Sequence, residues 1–72
     1  MIDMTYDPEA DAAYIYLAKG KVAETAEAGP FIYDKDDQGR VLGIEILGAS
    51  NVLAPGTWRE SRRPGTVPEA AE

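Results

Sequence analysis

At 72 residues the chain is one domain at most. It has no cysteine and no histidine, which removes disulfides and Cys/His zinc sites as sources of stability. A chain this short buries only roughly 60% of its unfolded surface, and domains so placed commonly gain stability by oligomerising.

The net charge of −6 is unevenly placed. Residues 1–54 hold ten acids and four bases, whereas residues 55–72 hold three of each. An acidic folded part repels phosphate backbones, so no nucleic-acid binding is expected, while a basic protein partner would be attracted. No basic stretch followed by an apolar run opens the chain, and the longest apolar run, residues 12–18, is far short of the ~20 residues of a membrane span. The expectation is a cytoplasmic protein with no membrane partner, and the absence of cysteine fits a reducing compartment.

In chain order, Ile2, Met4 and Tyr6 alternate with Asp3 and Thr5, the period-two pattern of a half-buried strand. Ala13, Ile15 and Leu17 alternate with Tyr14 and Tyr16 as a second strand. A four-residue loop, Asp7 to Ala10, with Asp and Pro in its first two positions, suits a turn and would pair Met4 with Ala13 and Ile2 with Ile15. A helix capped by Asp7 is the rival, but residues 12–18 are apolar all round and Tyr-Ile-Tyr favours a strand. Lys19-Gly20-Lys21 reads as a turn. Val22 to Glu27 follows as an exposed or edge strand, broken by Gly29-Pro30. Phe31 to Asp34 and Arg40 to Leu47 read as a second hairpin around Lys35 to Gly39. Ser50 to Ala54 reads as one helical turn capped by Ser50. Pro55, Pro64 and Pro68, with Gly56 and Gly65, exclude a long helix or central strand after residue 54. The expected organisation is an antiparallel β domain over residues 1–54 and an irregular, partly disordered tail over 55–72.

Three blocks carry a family resemblance: Tyr6-Asp7-Pro8-Glu9-Ala10-Asp11, Tyr14-Ile15-Tyr16-Leu17, and Gly39 through Leu47 followed by Ala49-Ser50. Together they resemble the small prokaryotic family called domain of unknown function 2283, over roughly residues 3 to 53. The resemblance implies a compact β-rich domain and transfers no catalytic residue. It also implies a genomic neighbourhood of small toxin-like proteins, hence an antitoxin-like role as an alternative. Gly48 departs from the pattern, standing where an acidic residue is common.

Candidate chemistry is sparse. Asp34, Asp36, Gln38, Gly39 and Glu45 match four of the five specified positions of a calcium-loop pattern. Gln38 fails at a ligand position, and strands flank the loop where helices are required. Asp7, Glu9 and Asp11 could hold a hard cation loosely, although Asp7 supports the turn and Asp11 helps start the next strand. Glu45, between Ile44 and Ile46, is the best acid–base candidate if buried; alternation would instead turn it outward. Ser50 and Ser61 have no histidine to activate them. No catalytic, cofactor or metal residue is therefore expected.

The binding candidates are Tyr14 and Tyr16, sharing the face opposite the aliphatic residues, and Trp58 beside Arg59, either as an anchor or folded back on its own domain. The expected protein is mainly β, a small antiparallel sheet of two hairpins with a short C-terminal helical turn. Its expected role is a non-enzymatic self-association module, a homodimer or higher homo-oligomer with Tyr14 and Tyr16 at the seam. The alternatives are an antitoxin-like partner of a small basic toxin, and a weak divalent-cation-binding or enzymatic domain.

Overall fold

A computed structural model describes residues 2–65. Five antiparallel strands form one sheet: β1 (Asp3–Asp7), β2 (Ala12–Tyr16), β3 (Glu24–Ala28), β4 (Phe31–Lys35) and β5 (Val41–Leu47). The spatial order is β1-β2-β5-β4-β3. A short helix, α1 (Ala49–Val52), and a 3-10 turn (Thr57–Glu60) follow. No helix among the described residues is long and apolar enough to cross a membrane.

The expectation of two hairpins is too simple. Gly29-Pro30 ends β3 but also turns it directly into β4, with Ala28 opposite Phe31. Gly29 takes φ 63°, the left-handed conformation that tight hairpin turns need at their first central position. The second block is thus a three-stranded meander, and the pairing of β2 with β5 fuses it to the first hairpin.

The first hairpin is also displaced by two residues from the expected pairing: Met4 faces Ile15 and Tyr6 faces Ala13. The loop is Pro8 to Asp11 rather than Asp7 to Ala10, because Asp11 adopts φ 52°. An even displacement keeps every side chain on its face, so the aliphatic gathering survives. The new register also sets a large ring against the smallest apolar side chain of β2.

Reading the registers across the sheet, one face carries the rows Tyr6–Ala13–Ile46–Phe31 and Met4–Ile15–Ile44–Tyr33. The opposite face carries Thr5–Tyr14–Glu45–Ile32 and Asp3–Tyr16–Gly43–Asp34. Tyr6, Ala13, Ile46 and Ala49 form the buried cluster, with Leu53 and Trp58 packed against it, so α1 and the 3-10 turn cover only that end of the first face. The next row, Met4–Ile15–Ile44–Tyr33, is only half-buried.

Ser50 is not the cap of α1, as the sequence suggests. The cap position is Gly48 and offers no side chain. Asp11, from the first hairpin loop, takes over the role across space. Its carbonyl accepts Ala49 N–H at 2.8 Å, and its carboxylate accepts Ser50 N–H at 3.1 Å and Ser50 Oγ–H at 2.6 Å. Residues 57–62 run along β1: Trp58 packs edge-on to Tyr6 with ring centroids 5.0 Å apart, and Arg62 forms a parallel bridge with Thr5. The expected disorder at the chain end concerns residues 66–72, which lie outside the described residues.

Candidate functional site

The tyrosine face carries a continuous polar and aromatic chain. Tyr14 and Tyr16 sit on the same side of β2 with ring centroids 4.6 Å apart. From β2, Tyr14 reaches diagonally over β5 and donates its hydroxyl to Asp34 Oδ2 in β4 at 2.5 Å. Asp34 Oδ1 in turn accepts Thr25 Oγ1–H from β3 at 3.1 Å. Tyr14 can cross β5 only because residue 43 has no side chain: a Cβ there would lie 2.6 Å from Tyr14 Cε1 and 2.7 Å from Cζ. At the other end the Arg62 guanidinium lies 5.9 Å from the Tyr16 ring centroid and pairs with Asp3. A shallow cleft beside this chain is lined by Tyr14, Tyr16, Lys19, Gly20, Leu42 and Arg62.

Burial pushes the Tyr14 hydroxyl well above its ordinary range, and the hydrogen bond to Asp34 adds to the shift. At neutral pH Tyr14 is therefore a proton-bearing donor. Asp3 is held below the usual carboxylate range chiefly by its hydrogen bond from Arg62, which raises Arg62 correspondingly.

A second cluster lies around Asp11. Its carboxylate accepts hydrogen bonds from Ser50 and, at 2.7 Å, from the Tyr6 hydroxyl, and these hold it below the usual carboxylate range. Tyr6 is raised by the same bond. The cluster joins the first loop, β1 and α1. Its four accepted hydrogen bonds position elements rather than aim at open space.

The sequence candidates fall into different places. Tyr14 and Tyr16 are together as expected, with Tyr14 committed to Asp34 and Tyr16 partly exposed. Trp58 is on the other side of the sheet. It donates its indole N–H to Ala54 O at 2.6 Å and carries the Arg59 guanidinium 5.2 Å from its ring centroid. The calcium-like residues do not converge. Asp36 accepts Gln38 N–H, Arg40 N–H and Arg40 Nε–H within its own turn. Asp34 faces Tyr14 and Thr25, and Glu45 lies half-buried on the tyrosine face, opposite Tyr14 and Ile32. Asp7 accepts Glu9 N–H at 3.0 Å, an ordinary turn contact. Among the described residues no three carboxylates gather as metal ligands.

Sequence reasoning named Asp11 and Asp34 only as cation-ligand or turn candidates, and gave no role to Gly43 or Arg62. Only Gly43 left a signal, since an isolated glycine inside a strand marks close approach of another group. The others act through partners that no local pattern reveals.

The family model described as protein of unknown function (DUF2283) matches residues 3–50. The chain belongs to that family. The matched segment runs from β1 through the start of α1, so it contains the whole sheet together with Asp11 and Ser50. No curated protein and no solved structure matches the chain.

Proposed function

We propose that this family member is a non-enzymatic self-association module, with its seam on the face that carries α1. What supports the reading is the apolar surface left beyond the reach of α1. Met4, Ile15, Ile44 and Tyr33 are half-buried in one row, and next to it Ile2 and Leu17 are 62% and 43% exposed. A sheet with an apolar face buries it against another layer, and the short helix covers only one end.

The tyrosine face is the poorer seam. It carries Asp3, Asp34, Glu27, Glu45 and Arg62, and stacking two such faces would desolvate all of those charges. The proposal extends to a reducing, cytoplasmic setting in a prokaryotic cell, which a cysteine-free composition suits.

Light scattering at micromolar concentration should give at least twice the 7.8 kDa chain mass. Ile2→Glu and Leu17→Glu, at positions exposed in the single chain, should return the mass to one chain without unfolding it. Tyr16→Glu should leave the oligomer intact. A wild-type mass of 7.8 kDa under these conditions rejects self-association, and dissociation by Tyr16→Glu alone moves the seam to the tyrosine face.

A further inference from the structure

The two edges of the sheet end differently. The outer side of β1 is occupied: Tyr6 N–H donates to the Arg62 carbonyl at 3.0 Å, and the Arg62 side chain pairs with Asp3. The outer side of β3 faces no strand among the described residues. Every second residue of β3 therefore turns its N–H and C=O away from β4. Native edges are normally blunted by charged side chains, lysine above all, by proline or by a bulge. β3, of sequence ETAEA, has no lysine and no proline, and its register with β4 is unbroken from Glu24 to Ala28.

What β3 carries instead is two exposed glutamates, Glu24 and Glu27, with no ion pair among the described residues. Its other side chains are small, so an approaching backbone meets no bulky obstacle. In a chain of net charge −6, two glutamates on an open edge disfavour a second copy of the same strand and favour a basic one. The spacing adds a geometric condition. Residues an odd number apart project to opposite faces of a strand, so Glu24 and Glu27 stand on opposite faces of the sheet.

We propose that β3 accepts an extended basic segment of a partner protein as a sixth strand. That segment carries two lysines or arginines three residues apart, one opposite Glu24 and one opposite Glu27. Main-chain pairing supplies attachment and the two charges supply register and selectivity. This surface is separate from the self-association seam, and neither proposal depends on the other.

The test uses the full chain, labelled with 15N, and two capped hexapeptides of equal composition. TKVVKT places its lysines three apart; TKVKVT places them two apart, on one face. TKVVKT should give saturable shifts at residues 24–28 and slow their amide exchange. TKVKVT should bind roughly 1.5- to 5-fold more weakly, the loss of one cross-strand charge pair. The double variant Glu24→Gln, Glu27→Gln, which stays folded because both positions are exposed, should abolish the difference between the peptides. Equal affinities for wild type, shifts centred on Tyr16 or Leu17, or no shift at millimolar peptide each overturn the proposal. Concentration-dependent protection of β3 without peptide assigns the edge to a second copy and overturns it too.

Discussion

The corner built from β1, β2 and α1 and the outer half built from β3 and β4 share one sheet but are held by different means. The corner contains Thr5, Tyr6, Ala13 and Ala49, all buried, and abuts Ile46 of β5. It is further tied by Asp11, by Trp58 against Tyr6 and by Arg62 against Asp3. In β3 and β4 no residue is fully buried. Beyond the ladder itself, Phe31 of β4 packs against the buried cluster, and the Tyr14–Asp34–Thr25 chain reaches β4 and β3 on the other face. The contrast teaches that a small sheet can concentrate its fully buried contacts at one end and hold the other largely through its ladder.

The largest expected effect tests that concentration. Ile46→Ala, at a position 3% exposed, should cost about 2–4 kcal/mol in urea unfolding. The same truncation at half-buried Ile32 of β4 should cost about 1 kcal/mol. Equal costs would mean that the outer half shares the core.

Next in size is the tie between the halves. Gly43→Ala drives a methyl group into Tyr14 and should cost about 1–3 kcal/mol. The loss should shrink when Tyr14 is already shortened to Ser, because the two changes meet at one contact. Full additivity in this cycle would show that Tyr14 does not cross β5 over Gly43 in solution.

A pH series separates the two regions further. Asp11 and Asp3 both titrate below 3.8 in the folded chain. Their contribution is therefore complete above pH 3.8 and is lost as pH falls through the folded values. Asp11→Asn should flatten this acid-side loss. On the alkaline side, Tyr14 titrates above its ordinary 10.0, so its contribution is complete below pH 10 and fades as pH rises further. Tyr14→Phe should remove that component, keep the alkaline share of Tyr6, which its bond to Asp11 also raises, and leave the acid limb unchanged. An acid limb indifferent to Asp11 would place the corner's stability elsewhere.

The smallest effects lie at the open edge. Glu27→Gln should change stability by no more than about 0.5 kcal/mol, as surface substitutions usually do. Amide exchange should still rank the regions, slowest at Ala13 and Ile46 and fastest among the strands at residues 24–28.

Much of this architecture follows from local pattern. Period-two alternation located the strands to within a few residues, and the exposed Glu and Thr of β3 marked an edge strand. The placement of Tyr14 with Tyr16 opposite the aliphatic set follows from side-chain alternation alone. An even register displacement cannot disturb that placement, which is why the faces were legible although the pairing was off by two.

What tertiary structure alone decided concerns partners distant in sequence. Asp11 reads as a residue that starts the second strand, yet it caps a helix through Ser50, 39 positions away. Tyr14 reads as a free interface side chain, yet its hydroxyl belongs to Asp34, 20 positions on. Arg62 reads as part of an irregular tail, yet its carbonyl closes the edge at β1 and its guanidinium pairs with Asp3. Alternation and turn chemistry are set within a few bonds of each residue, so a sequence displays them. A hydrogen bond between remote segments depends on which strands lie side by side, and the arrangement β1-β2-β5-β4-β3 is the one that buries Tyr6, Ala13, Ile46 and Ala49 together.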